Sequence, residues 1–532
     1  MRQSNSTVRC IDIPIEELHS ITEAVNSSNL PKEIASKINL IIATIEYLYQ
    51  VIEDKSAAIG RLVRMIFGAA TESARNIVGK VKESEKAVPE QAQADKPKIK
   101  GHGRNGASAY PGAALVHVNH ESLSAGIACP GCVEGKLYEQ KAPAPIMRFF
   151  GRPPIGASKY ELEKLRCNLC GEVFKADLPK EAGQNKYDET VGAVIGVMKY
   201  GGGFPFNRIE SLQASAGIPM PASTQWWEVV EDAAHRIYPA FEELKRQGAQ
   251  SDVIYNDDTT GRVLELMKNK EDSERKGVFT TGIVCTGKND EQKIALFFTG
   301  RNHAGENLTE VLKQRNSGLG APIQMCDALS RNQSKEFETI LSNCLVHGRR
   351  NFVDVYDNFP EECRYVTERL GKVYKNDETA KERSLSPEER LRFHQAESGP
   401  VMEQLHKWMK EQLADKKTEP NSGLGKAIAY MLKHWEKLTR FLEVAGAPLD
   451  NNLCERALKK VVLHRKNSLY YKTQCGAYVG DMFMSLIHTC NLNNINPFDY
   501  LTELQRNTAS VFKTPRDWMP WNYQATLNAL PP

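Results

Sequence analysis

Asp257, Asp327 and Glu455 hold positions in this 532-residue chain from which carboxylates can do metal-assisted chemistry. Asp257 and Asp258 end a short β-branched and aromatic run, SDVIYND, and Asp327 closes another, APIQMCDA. Strand ends are where α/β sheets usually place chemistry. Glu455 lies in NNLCERALKKVVLHRKN, residues 451–467, which starts like a helix, with Asp450, Asn451 and Asn452 as capping candidates. Three carboxylates from distant points of a chain can hold two Mg2+ ions, which prefer carboxylate and water oxygens. Two such ions, about 3.5–4 Å apart, activate the attacking oxygen of a phosphodiester displacement and stabilise the leaving oxygen. In-line attack then asks little of the protein beyond positioning and electrostatics. Residue type alone does not force this triple. The chain has 66 acidic residues, and an acid taken singly is more often a cap or a solvated side chain.

Two cysteine pairs form a second constellation. Cys129-Pro-Gly-Cys132 and Cys167-Asn-Leu-Cys170, the latter followed by Gly171, have the spacing of zinc knuckles. Two thiolates from one tight turn grip a tetrahedral ion, and two knuckles fill all four positions, so such a Zn2+ is structural. The loop between the pairs carries Pro143, Pro145, Pro153 and Pro154 and must hang out. A single pair would read equally as a redox motif. A third set is basic. Arg456, Lys459, Lys460, Arg465, Lys466 and Lys472 cluster beside Glu455, interleaved with Tyr470 and Tyr471. These cations suit DNA phosphates, and the tyrosines suit stacking on bases freed from a duplex. A charged helix face with core tyrosines is the alternative.

The elements that must position these residues follow from periodicity. SDVIYND, GVFTTGIVCT, KIALFFTG and APIQMCDA read as four strands, with a helix at about 304–315. Residues 333–357 read as helical, and 385–445 as mostly helical and charged, so the whole is an α/β domain. Upstream, 186–250 reads as helical. Phe206–Ala216 and Ser223–Lys245 flank the turn at residues 217–222, with Ser223 a plausible N-cap and Pro239 a kink. That pair suits a helix-turn-helix, although a plain helical hairpin fits as well. Further upstream, Ile34, Ile38, Ile41, Ile45, Leu48, Ile52, Ile59, Leu62 and Ile66 step alternately by four and three, broken only by Lys55. An a/d seam of that length argues for a coiled coil and self-association, or else one amphipathic helix packed on its own domain. Residues 80–113 are polar and rich in Gly, Pro, Lys and Glu, the composition of a mobile linker.

Composition sets broad bounds. The chain is 41% hydrophobic and 25% charged, ordinary for a globular protein, and its net charge of +3 announces no partner by itself. No stretch approaches 18 apolar residues, so no membrane span is expected. The first 15 residues lack the apolar run of a secretory signal. The 12 cysteines then read as metal ligands plus reduced thiols, and the expected compartment is the cytoplasm.

Several ordered motifs together resemble the transposases of the insertion sequence 66 family, bacterial proteins of the Asp-Asp-Glu superfamily. They are RLVRMIFG (61–68), GHGRNGASAY (101–110), CPGC…CNLC, KYGGGFPFNRIESLQASAGI…STQWWEVV, YNDDTTGRVL (255–264), CLVHGRRNF (344–352) and NNLCERALKKVVLHRKN. The resemblance covers almost the whole chain. It implies a multidomain α/β protein with a ribonuclease-H-like catalytic core at 251–490, interrupted by a helical insertion at about 360–445. Before the core it implies an N-terminal coiled-coil region (1–79), the linker (80–113), a zinc-finger-like domain (114–180) and a helical DNA-binding region (181–250); a C-terminal extension (491–532) follows. It places the catalytic, Mg2+- or Mn2+-binding triad on Asp257, Asp327 and Glu455, with two ions per site. It puts Lys466 and Asn467, of a family Arg-Lys-Asn motif, near DNA. Cys344-Leu-Val-His347 resembles a Cys-x-x-His motif of related transposases, with His347, Arg349 and Arg350 orienting DNA or an acid, or forming a structural turn. The implied activity is cleavage at element ends and strand transfer, with terminal inverted repeats and target DNA as partners, possible small accessory proteins and a homo-oligomer. Three local departures stand out: Asp258 where the family commonly has Glu, Ala328-Leu329 in place of Gly-Tyr, and Ser468-Leu469-Tyr470 in place of Trp and Phe.

Overall fold

The computed structural model describes residues 15–27, 30–31, 34–43, 125–127, 136, 154–166, 173–177, 179–183, 185–268, 275–287 and 292–530. Cys129, Cys132, Cys167 and Cys170, the linker at 80–113 and the heptad positions from Ile45 onward lie outside the described residues. The chain falls into two units, Met1–Gln91 and Ala92–Pro532. In the first, Ile15–Ser27 and residues 34–43 are helical, and the seam residues Ile34 and Ile41 are exposed. In the second, Lys164–Arg166 pairs antiparallel with Val173–Lys175.

The centre of the second unit is a mixed five-stranded sheet. Its strands are β1 (Val253–Thr260), β2 (Phe279–Thr286), β3 (Lys293–Gly300), β4 (Ile323–Cys326) and β5 (Ile340–Asn343), in the order β3-β2-β1-β4-β5. The first three form an antiparallel meander; β4 and β5 run parallel to β1. β5 corrects the sequence reading, which made 333–357 helical. Ile340–Asn343 is a four-residue strand, and only Leu345–Asp354 is helix. So short a run carries no period that separates strand from helix; here pairing with β4 decides it.

Helices pack around this sheet: α1 (Glu231–Gly248), α2 (Ala304–Leu312), α3 (Leu345–Asp354), α4 (Pro360–Glu382), α5 (Pro387–Glu397), α6 (Gly399–Ala414), α7 (Gly423–Lys433), α8 (Asn452–Ser468) and α9 (Gln474–Leu492). α1 runs through Pro239 as one helix, preceded by a π-helical turn at Gln225–Val230. Ser223 is not the cap of the short helix before it. That helix starts at Ala222, after Pro221, and the carboxylate of Glu210 accepts the Ala222 N–H at 3.2 Å. Ile237, Phe241 and Leu244 of α1 share one apolar core with Ile254 of β1, Phe297 of β3, Phe483 of α9, and Tyr500 and Trp518 further on. The insertion α4–α7 has a second core, with Leu370, Leu405, Met409 and Ile428 packed beside Val253 and Ile323. Among the described residues no helix is long and apolar enough to cross a membrane.

β3 lies at the sheet edge, where alternate backbone N–H groups have no strand partner. α9 supplies the acceptors. Asn493, Thr489, Ser485 and Asp481 accept from the N–H groups of Lys293, Ala295, Phe297 and Thr299 at 3.2, 3.0, 2.9 and 2.6 Å. The match is geometric. Four residues of helix advance about 6 Å and two residues of strand about 6.6–6.8 Å, so one polar side chain per turn meets every second strand amide.

Candidate active site on the central strands

The β1–β4 register pairs Tyr255 with Met325. Two residues further on, Asp257 and Asp327 come level on the same face, because side chains alternate with period two. Asp257 does not end β1, as the sequence reading had it, since β1 runs on in register with β2 to Thr260, whereas Asp327 directly follows β4. A single buried amide joins them. Asn332 Nδ2 donates to Asp327 Oδ1 at 2.6 Å and to Asp257 Oδ1 at 3.2 Å. Asp257 also accepts the Asp258 N–H at 2.8 Å, and Asp327 accepts the Leu329 N–H at 3.1 Å. Burial pushes the Asp257 carboxyl up to about 7; the nearby charges of Asp327 and Asp258 add to this, against the opposing hydrogen bonds from the Asp258 N–H and Asn332.

Asp258 points the other way, as strand alternation requires. It accepts from His303 Nδ1 at 2.9 Å and lies 3.4 Å from the Arg331 guanidinium, so this second acid of the motif is already paired. Asp450, another acid considered beside Glu455, caps α8: its Oδ1 accepts the Asn452 N–H at 3.0 Å.

Glu455 arrives on the first turn of α8. Leu345 N–H donates to Leu449 O at 3.0 Å, Asn451 N–H to Cys344 Sγ at 3.3 Å, and Asn451 Nδ2 to Asn256 O at 3.2 Å. These bonds tie the start of α8 to β1 and to the start of α3. Gly282, paired with Asp257 across β1–β2, lets the helix close in. A Cβ there would lie 3.0 Å from Leu458 and 3.5 Å from Cys454 Sγ. The Cys454 thiol bonds Gly282 O at 3.2 Å and is held far above its ordinary range by burial, then by the charges of both Asp257 and Glu455. Both carboxylates therefore flank one thiol. Glu455 Oε1 is buried without a hydrogen-bond partner, 4.0 Å from His347 Nε2.

Beneath the acids lies a network of buried amides. Asn256 Nδ2 and Gln324 Nε2 both donate to Asn332 O at 2.7 Å, and Gln324 Nε2 also donates to Asn256 Oδ1 at 2.9 Å. Sequence reasoning missed Asn332, Asn256, Gln324 and Gly282. Each is an ordinary residue outside any recognisable spacing, and its part depends on contacts between distant segments.

The basic residues divide by environment. Arg456, Lys459, Lys460 and Lys466 are exposed on one face of α8, Lys459 and Lys460 three and four residues from Arg456 and Lys466 seven from Lys459. Arg465 is turned inward: it donates to Thr259 Oγ1 at 3.2 Å and to Thr260 Oγ1 at 2.7 Å, and contacts Thr260 O, tying α8 to the end of β1. Asn467 lies beside Gly203, whose φ of +77° only glycine adopts easily. Arg349 is buried and His347 faces Glu455. Tyr470 is exposed, whereas Tyr471 stacks on His464 with ring centroids 5.4 Å apart.

Comparison with known proteins gives a consistent result. Residues 185–478 match the model of the "Transposase IS66 family". Three relatives are uncharacterised proteins of Sinorhizobium fredii (strain NBRC 101917 / NGR234). Protein y4jD is 34% identical over 205 residues, 37% of this chain and 39% of that protein. Protein y4hP is 26% identical over 388 residues, 68% of this chain and 67% of that protein. Protein y4qI is 23% identical over 349 residues, 63% and 62% of the two chains. The matched parts thus span between 39% and 67% of the relatives' own lengths.

Proposed function

Because the chain belongs to the transposase IS66 family, we propose that it cuts DNA at insertion-sequence ends and joins the freed 3′ end to target DNA through Asp257, Asp327 and Glu455. One observation carries this reading. Asp257, inside β1, and Asp327, just past β4, share a single neutral amide, and among the described residues no basic side chain is hydrogen-bonded to either. Like charges this close disfavour joint ionisation, and a divalent cation is what such a pair lacks. The residues fit that group: the Asp257 carboxyl is pushed up to about 7, and Glu455 Oε1 is buried with no donor. The order β3-β2-β1-β4-β5, an antiparallel meander joined to parallel strands, supports a ribonuclease-H-like core with α4–α7 as its insertion.

Two Mg2+ or Mn2+ ions, when bound, would supply the Lewis acidity that activates water and then the 3′-hydroxyl. Asp257 and Asp327 would hold them, with Glu455 completing the second position. Asn332 fixes the two aspartates at one spacing, and the amides of Asn256, Gln324 and Asn451 fix Asn332 and the start of α8 in turn. Asp258, committed to His303 and Arg331, takes no part in the reaction. The exposed cations Arg456, Lys459, Lys460 and Lys466 run along α8 away from Glu455 and would seat DNA phosphates, with Tyr470 beside them. Arg465 acts by anchoring α8 to β1. The four cysteines would hold structural Zn2+ and the N-terminal helix would pair protomers, with small accessory proteins joining the complex.

The test is a cleavage and joining assay on labelled element-end DNA with Mg2+ or Mn2+. Wild type should cut and join, while Asp257→Asn, Asp327→Asn and Glu455→Gln bind the DNA and stay inert. Full activity in any one variant removes that residue from the triad. Binding without cutting by wild type, accessory proteins supplied, replaces this reading with a catalytically silent DNA-binding copy.

A further inference from the structure

Cys344, His347 and Glu455 come together where two helices begin. Cys344 is the N-cap of α3, His347 sits in its first turn, and Glu455 sits in the first turn of α8. One ligand atom from each lies within 4.8 Å of the other two, and His347 Nε2 is 4.0 Å from Glu455 Oε1. That distance is too long for a hydrogen bond. Among the described residues Glu455 Oε1, the atom that faces His347, is buried without a hydrogen-bond partner. A buried polar atom left unpaired costs about 1–3 kcal/mol, so the arrangement wants something between these side chains.

From this geometry we propose that Cys344, His347 and Glu455 form a separate metal site for a thiophilic divalent cation of the zinc type. One thiolate, one imidazole and one carboxylate, with a fourth position open, is a donor set such an ion accepts. The Asp257–Asp327 pair offers only oxygen and suits a harder ion. Around a tetrahedral zinc, mixed ligand atoms sit roughly 3.3–3.8 Å apart, so the three side chains need to close by about 1 Å. His347 and Glu455, each about a quarter exposed at 25% and 22%, have room to do so. The two helix N-termini favour the anionic ligands, and the Asn451 N–H already points at Cys344 Sγ at 3.3 Å. On binding, the thiol proton leaves to solvent and the sulfur–metal bond replaces it. The site shares Glu455 with the proposed triad. On that reading an ion held here draws Glu455 away from the Asp257–Asp327 pair; the binding itself does not rest on that reading.

The experiment is a Co2+ titration of the metal-depleted full chain under reducing conditions, reading the thiolate-to-cobalt charge-transfer band in the near ultraviolet. Wild type should develop more of this band than Cys344→Ser or His347→Asn. The wild-type-minus-variant difference should saturate at one cobalt per chain. The four CxxC cysteines are present in all three proteins and cancel. Because Cys344 is buried, circular dichroism checks the fold of each variant, and the more exposed His347→Asn carries the test if Cys344→Ser fails to fold. Identical titrations for wild type and a folded variant overturn the proposal. Asp327→Asn should keep the difference band, since it adds no thiolate ligand. Loss of the band there makes Asp327 a ligand of the ion that Cys344 holds and overturns a separate site. Should Asp257→Asn and Asp327→Asn still cut DNA, the triad reading fails while the cobalt result stands unaffected.

Discussion

Two buried acid clusters in this molecule are handled in opposite ways. In the helical insertion, Asp377 is 5% exposed and meets Arg390 at 2.6 Å, Lys381 at 2.7 Å and His394 at 3.2 Å. Burial alone would raise its carboxyl, but the His394 hydrogen bond and the charges of Arg390 and Lys381 outweigh this and hold it well below the usual range. On the central strands, Asp257 and Asp327 receive one shared amide and two backbone N–H groups, and Asp257 is driven up instead. Among the described residues Asp377 is given counter-charges, whereas Asp257 and Asp327, the proposed metal ligands, are given only neutral hydrogen-bond donors. The Asp377 cluster also shows why contacts alone are not chemistry. Ser398, His394 and Asp377 line up at 3.0 and 3.2 Å like a nucleophilic triad, yet Ser398 is fully buried and its Oγ already accepts from Asn376 Nδ2 at 3.0 Å.

The contrast is most strongly tested by neutralising each acid in turn. Asp257→Asn, Asp327→Asn and Glu455→Gln should each lower end cleavage by at least about a thousandfold, at roughly 4 kcal/mol of lost transition-state stabilisation, with DNA affinity little changed. Asp377→Ala should leave the chemistry of the folded protein intact but destabilise it by about 3–5 kcal/mol, measured by urea unfolding, because His394 and Arg390 lose their buried partner. If Asp377→Ala instead abolished cleavage in folded protein, the division between the two clusters would fall.

Mg2+ should stabilise only the uncompensated cluster. At about 100 times its dissociation constant it should add about 2.7 kcal/mol to wild type at pH 8, and much less to Asp257→Asn. Asn332→Ala should lower cleavage by about 10–100-fold, the usual loss when a group supporting metal ligands is removed, with binding of element-end DNA unaffected.

The pH dependence of stability should carry both signs. Asp257 and Asp481 are raised from the ordinary 3.8 to about 7, by burial in each case, so the stability they favour is present below 3.8 and lost as pH rises through 7. Asp377 is depressed below 3.8, so its contribution is present above that value and lost as pH falls below it. In metal-free protein, Asp257→Asn should flatten part of the decline between pH 4 and 7, and Asp377→Asn the decline at acid pH. Unchanged urea midpoints across both windows would remove the electrostatic account of the comparison.

Much of this was legible from residues alone. β-branched runs bounded by turn residues mark β1 to β4 because a strand carries its own local pattern; Asp327 follows the end of β4 as expected, while β1 runs three residues past Asp257 because pairing with β2 extends it. The helical character of 385–445 was legible for the same reason. β5 was not, because four residues, Ile340 to Asn343, beside a helix are too few to show a period of their own. The N-cap at Ser223 failed because Glu210, twelve residues earlier, caps that helix from across a turn.

The sequence by itself determined the acids, their basic neighbours on α8 and the family to which the chain belongs, since residue type and short-range spacing are written locally. Tertiary structure decided which acid of the Asp257–Asp258 pair faces Asp327, that Asn332 joins the two, that Gly282 admits α8 and that Glu455 meets His347. Those outcomes depend on register and close packing between segments up to about two hundred residues apart, where a shift of one residue would turn each side chain to the other face.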